Sequence, residues 1–317
     1  EMLSQAAGLE VTLTGSALEA AVLESDEIKQ HAPPYNVALQ KGQRKLAFLS
    51  RDLRKLSAEP DKTHCLGPFP AGNRTDAMTA FGSWHANRRN LDRDEVLELG
   101  TVLLGVPPAY APEPDCLAKG VDLFGQHHLT QLARRSALRT LSGLGRRLWQ
   151  ERLAELAVAQ AEETEKNLEA DSADSDPDID EAPSWTPETV ARGIEKFTMR
   201  SGLLIRRARW LCLLSESSLA WEARDADDHR KIVLRLENGA VARRLELPRR
   251  EEVPLPAGYA RRMTDRQKIF DLTTYERLRV ITTELRRLVA GGRHIEIRLR
   301  PNATLSRRQL ARILPWV

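Results

Sequence analysis

Glu24 stands in the run Ser16 to His31, SALEAAVLESDEIKQH, just ahead of the turn Pro33-Pro34-Tyr35-Asn36. A carboxylate is an oxygen donor, the ligand type that hard divalent cations take. On spacing alone, Glu24 reads as an ordinary surface glutamate on an amphipathic helix. Ser16 and Glu19 form a capping-box pattern, a hydroxyl at N-cap and a carboxylate three residues on. They predict a helix over 17–31 with Leu18, Ala21, Val22, Ser25 and Ile28 on one face and Glu24 at its border. Pro33 and Pro34 end it, because a residue before proline avoids helical torsions. Upstream, GLEVTLT (8–14) alternates and reads as a short strand.

The stretch ALEAAVLESDEIKQHAPPYNVAL (17–39) resembles the closing segment of the GIY-YIG nuclease domain in the bacterial excinuclease C family. That resemblance implies that Glu24, not Glu19, is the glutamate that binds one divalent ion, Mg2+ or Mn2+. It implies that Asn36 helps to order the site, and that Lys29, the helix-terminal lysine, is a backbone or DNA-facing charge. The two motif tyrosines, the paired arginine and the hairpin bearing them are then expected upstream of residue 1. On this reading residues 1–50 are the C-terminal part of a nuclease module, unable to cut DNA alone. The LGPF turn at 66–69 and the order WLCLLSESSLAWE, then FDLTTYERLRVITTELRRL, resemble later parts of the same proteins.

The elements that position these residues have to come from a chain of 317 residues, long enough for two domains or more. It is 41% hydrophobic and 29% charged, a globular composition. No apolar run approaches the length of a membrane span. Cys65, Cys116 and Cys212 have no paired or metal-ligand spacing, fit a reducing cytoplasm, and read as small buried side chains. The net charge is only +3 but is unevenly spread. EETEKNLEADSADSDPDIDE (162–181) is strongly acidic, whereas 200–317 has a large excess of Lys and Arg. A solubilising linker beside an arginine-rich surface accounts for this, and so does a nucleic-acid-facing domain.

RKLAFLS (44–50) reads as a strand, Asn73 or Thr75 as a helix cap, and 92–104 as a helix. The prolines of PPAYAPEP (107–114) impose an extended connection. His127 and His128, being adjacent, cannot chelate as an i, i+4 pair and read as packing residues. Residues 129–161 form the longest helical pattern, interleaved with Arg134, Arg135, Arg139, Arg146 and Arg147. Those arginines are candidate DNA contacts, or else snorkel from a packed helix. Gly143 and Gly145 are expected to weaken that helix and split it. Beyond the linker, a helix from 187 is expected to give way to a strand centred on Trp210–Leu214. Asn238-Gly239 marks a hairpin, 270–290 a helix with a glycine C-cap, and HIEIRLRP a closing strand.

The fold class is α+β. Its expected parts are the nuclease remnant (1–50), a mostly helical accessory region (51–161), an acidic flexible linker (162–184) and a basic C-terminal α+β domain (185–317). Two functions compete. One is a piece of a metal-dependent, structure-selective DNA endonuclease of DNA repair, cytoplasmic, acting on DNA and with other repair proteins. The other is a non-catalytic nucleic-acid- or protein-binding chain carrying a degenerate nuclease remnant.

Overall fold

The computed structural model describes residues 8, 10–31, 45–87, 93–106, 108–129, 136–166, 185–222 and 230–317. In chain order the elements are α1 (Ala17–His31), β1 (Leu46–Leu49), β2 (Leu56–Ser57), β3 (Leu66–Pro70), α2 (Asn73–Asn87), α3 (Arg93–Leu104) and α4 (Pro114–Phe124). A π-helical turn, Gly125–Leu129, follows α4, and then come α5 (Ala137–Lys166) and α6 (Pro187–Leu214). The last part contains β4 (Ser218–Glu222), β5 (Arg230–Glu237), β6 (Ala240–Pro248), α7 (Met263–Gln267), α8 (Leu272–Ala290), β7 (Ile295–Arg300), β8 (Ala303–Ser306) and α9 (Arg307–Ile313). The fold is α+β, with helices beside antiparallel sheets.

Two compact units divide the chain, and they do not follow chain order. The first comprises residues 1–48, 57–70 and 207–317, and the second 49–56 and 71–206. Residues 185–206, grouped in sequence with the C-terminal half, therefore belong to the second unit.

The first unit is built on a five-stranded sheet of order β6-β5-β4-β7-β8. Leu219 pairs with Leu234 on one side and Ile297 on the other, and Trp221 with Ile232 and Ile295. Directly opposed residues share a face, so this apolar set lines one side of the sheet. It packs with Tyr275, Leu278, Ile281 and Leu285 of α8 in the main core. Asn238 (φ 52°) and Gly239 (φ 74°) turn β5 into β6, the left-handed pair that an Asn-Gly hairpin demands. Asp271 caps α8 by accepting from Thr274 N at 2.7 Å.

α1 docks on α8 in this unit. Leu18, Val22, Ser25 and Ile28 form its buried stripe, and Ala21 is only half-buried. The Glu19 backbone N–H donates to the Ser16 hydroxyl oxygen at 3.1 Å, as the capping pattern requires. Gly8 and Glu10–Thr14 are irregular, not a strand. Val11 and Leu13 are 75% and 93% exposed. Alternation without a partner strand leaves the backbone ladder unmade, so the pattern alone cannot hold a strand.

The strand expected at Trp210–Leu214 is instead the end of α6. Trp210, Leu211, Cys212 and Leu214 are all buried, so the run has no exposed face to betray its period. Arg266 ends this helix. Its guanidinium donates to the carbonyls of Cys212 (3.3 Å) and Leu213 (3.4 Å), which have no helical partner at a C-terminus. It donates as well to Gly258, Tyr259 and Arg261 carbonyls. A 2%-exposed arginine is thereby satisfied entirely by backbone.

Among the described residues, the regular structure of the second unit is helical apart from the end residues of β1 and β2, Leu49 and Leu56. α5 runs unbroken through Gly143 and Gly145, where a split was expected. Gly145 lies where α5 meets α6. A Cβ there would be 2.6 Å from Thr198 O and 3.0 Å from Gly202 Cα. The glycine permits close backbone approach, and that packing outweighs its low helix propensity. α5 also extends to Lys166, so 162–166, expected in the acidic linker, are helical. The remainder of that expected linker, 167–184, lies outside the described residues.

Candidate functional site

Glu24 is exposed on α1, flanking the buried stripe. The residues around it fix the helix. Asp26 accepts from Arg277 Nε at 3.0 Å and lies 2.9 Å from its Nη2. Lys29 Nζ lies 3.2 Å from Glu276 Oε2 and donates to Thr273 O at 3.2 Å. Arg244 Nε lies 3.0 Å from Glu19 Oε1. Lys29, a candidate DNA contact in sequence, therefore spends its charge inside the unit. Glu24 enters none of these pairs and faces water as a hard oxygen donor. Asn36 lies outside the described residues. Among the described residues no group of three or more His, Cys, Asp or Glu forms a metal cage. A single carboxylate that leaves the other positions to water and phosphate is the arrangement a magnesium ion accepts.

Of the arginines assigned to nucleic acid, Arg134 and Arg135 lie outside the described residues. Arg139, Arg146 and Arg147 are exposed on α5. Arg147 Nη2 lies 3.0 Å from His128 Nδ1, and Glu195 Oε1 lies 2.6 Å from His128 Nε2. A guanidinium can only donate, so Nδ1 accepts and Nε2–H donates to the carboxylate. That hydrogen bond is the main reason the Glu195 carboxyl titrates below its ordinary range. His128 thus has both ring nitrogens engaged, at the wall of a cleft of about 600 Å³ between α5 and α6. Packing is the role expected of both histidines. His128 also holds its helical turn to α6 through Glu195.

A second cleft in the same unit, of about 530 Å³, has a different character. Arg192, Lys196 and Arg200 reach it from α6, and Arg74 from the first turn of α2. All four are exposed, and no carboxylate appears among the described residues that line it. Trp185, half-buried, stands at the N-terminal end of the basic row, its indole N–H donating to Tyr110 O at 2.9 Å. The row Arg192-Lys196-Arg200 recurs every four residues, which places it on one helix face. That periodicity is present in the sequence. What pairs it with Arg74 and Trp185 is the packing of the second unit.

No protein-family model, curated protein or solved structure was found to match the chain. Among the described residues no helix is long and apolar enough to cross a membrane.

Proposed function

We propose that the chain is part of a structure-selective DNA endonuclease of the GIY-YIG type, acting in DNA repair in the cytoplasm, and that Glu24 is its metal carboxylate. One observation carries the reading. Glu24 is left exposed on a helix whose neighbouring charges, Asp26 and Lys29, are committed to docking. A metal ligand needs that combination of a fixed backbone and a free carboxylate. The resemblance of residues 17–39 to the excinuclease C family supplies the reaction class. When bound, one magnesium or manganese ion would supply charge stabilisation to a phosphodiester in hydrolysis. The chain's own contribution is to hold Glu24 on α1 and to offer basic surface to the substrate backbone.

The test uses the product of the complete reading frame. Glu24→Gln is expected to lower Mg2+-dependent cutting of branched DNA by about 100-fold or more, with an unchanged melting temperature and weakened Mn2+ binding by electron paramagnetic resonance. Glu27→Gln, exposed on the same helix, should cut normally. Full cutting by Glu24→Gln would show that the carboxylate is wrongly assigned.

A second reading, a non-catalytic nucleic-acid-binding chain, is favoured by the cationic cleft, which needs no metal. It predicts DNA binding by the complete product without Mg2+-dependent cutting of any branched substrate.

A further inference from the structure

We infer that the cleft of Arg74, Trp185, Arg192, Lys196 and Arg200 is a binding site for single-stranded nucleic acid. Its phosphates lie along the basic row of α6 and one unstacked base lies against Trp185. The site deepens the nuclease reading, on which the choice of nucleic acid over other polyanions rests.

Charge is the first argument. Four exposed cations surround one cleft, with no acidic side chain among its described lining residues. Clustering like charges costs self-repulsion, which a bound polyanion relieves. Elsewhere on α5 and α6 the charges are mixed. The neighbouring cleft of about 600 Å³ shares Arg192 and Lys196 but sets Glu151, Glu155 and Glu195 among them. That every charged residue of the described lining is basic is thus a property of this cleft and not of the helix as a whole.

Geometry is the second argument. Arg192 to Arg200 spans eight residues, about 12 Å at the helical rise. That is about the axial length of three stacked nucleotides at 3.4 Å each. A volume of about 530 Å³ suits a small ligand group and is far too small for a duplex to enter, whose bases are sealed in their stack. A single strand can turn a base inward while its phosphates stay on the cations. Two aromatics line the cleft, and since Phe197 is buried, Trp185 is the one that offers such a base a stacking surface; base stacking on an aromatic is indifferent to sequence. The Asn73 amide, at the start of α2, adds a neutral polar group to the rim.

The test is fluorescence anisotropy of a labelled oligothymidylate of about twelve nucleotides, in EDTA so that no cutting intervenes. Four phosphate contacts predict an affinity loss of about 50-fold between about 50 and about 200 mM salt. The triple variant Arg192→Ala, Lys196→Ala, Arg200→Ala should lower the log–log salt slope by about two. A control triple, Arg262→Ala, Arg308→Ala, Arg312→Ala, removes the same charge from exposed positions in the other unit and should leave the slope in place. Trp185→Ala should weaken binding about tenfold with the slope unchanged, and Trp185→Phe should retain most of it. The corresponding duplex should bind more weakly, and an oligouridylate tells whether the strand read is DNA or RNA as well. Equal losses from both triples, duplex binding as tight as single-strand binding, an inert Trp185→Ala, or no binding at about 50 mM salt would each overturn the site. A result here is independent of whether Glu24 supports cutting.

Discussion

Asp26 and Arg277, 251 positions apart in the chain, meet as a carboxylate gripped by two guanidinium nitrogens, Nε at 3.0 Å and Nη2 at 2.9 Å. The contact orients α1 on α8 more strictly than the apolar stripe alone, since planar two-point pairing fixes direction as well as distance. The direction in which Glu24 faces follows from it.

Arg277→Ala is expected to lower the denaturant-measured stability by about 1–2 kcal/mol, and the Asp26–Arg277 coupling in a double-mutant cycle to be about 1 kcal/mol. A coupling near zero would mean that the apolar stripe alone holds the helix. Raising salt should shrink the coupling, because Asp26 is 38% exposed.

Gly145→Ala tests the approach of α5 to α6. In an open helix this change stabilises by about 1 kcal/mol. Here the new methyl meets the Thr198 carbonyl and Gly202, so a destabilisation of about 1–3 kcal/mol is expected. The control is Gly125→Ala, whose Cβ meets nothing within 4 Å. If the two substitutions behave alike in thermal melts, the close approach is absent in solution.

Thiol titration should separate the cysteines. Burial pushes the Cys212 thiol up to about 12, and its Sγ donates to Gly67 O at 3.4 Å. At pH 8 it has almost no thiolate and no access. Cys65 is buried as well, whereas Cys116 is half-buried. Burial and the nearby Glu188 raise Cys116 too, so its reaction should be slow but first. Ellman's reagent should find fewer than three thiols in the native protein and three after denaturation. Rapid native labelling of Cys212 would contradict this packing.

The Glu195–His128 contact sets an acid limb. The carboxyl titrates lower in the folded than in the unfolded chain, so between those two values the unfolded state binds more protons. The stabilisation is therefore complete at neutral pH and is lost as pH falls from the ordinary glutamate range through the lowered folded value. Wild type should exceed Glu195→Gln in stability by a constant margin near neutrality, and the margin should close in acid. A margin that widened in acid would reverse the assignment of the proton.

Much of this protein was determined by local sequence. The Ser16–Glu19 cap, the Asn238-Gly239 turn, the alternation of KIVLRLE and HIEIRLRP, and the amphipathic period of α8 each act over a few residues. Their outcome needs no distant partner. The α+β class followed from such signals. Tertiary structure decided the rest. GLEVTLT alternates, yet its residues 10–14 have no partner strand among the described residues. WLCLL lacks a visible period because its surroundings bury most of it, and Arg266, more than 50 residues on, joins Ser215 and Ser217 in supplying donors to the carbonyls at the end of its helix. Gly145 weakens an isolated helix but lets two packed ones touch. The site divides in the same way. Glu24 and the four-residue rhythm of Arg192, Lys196 and Arg200 are in the sequence, because a helix fixes which neighbours share a face. That Asp26 and Lys29 are committed to α8 while Glu24 stays in water, and that Arg74 and Trp185 complete a cleft without acids, depends on contacts between segments far apart in the chain. No local pattern encodes those contacts, since they form only when burial of the core brings the segments together.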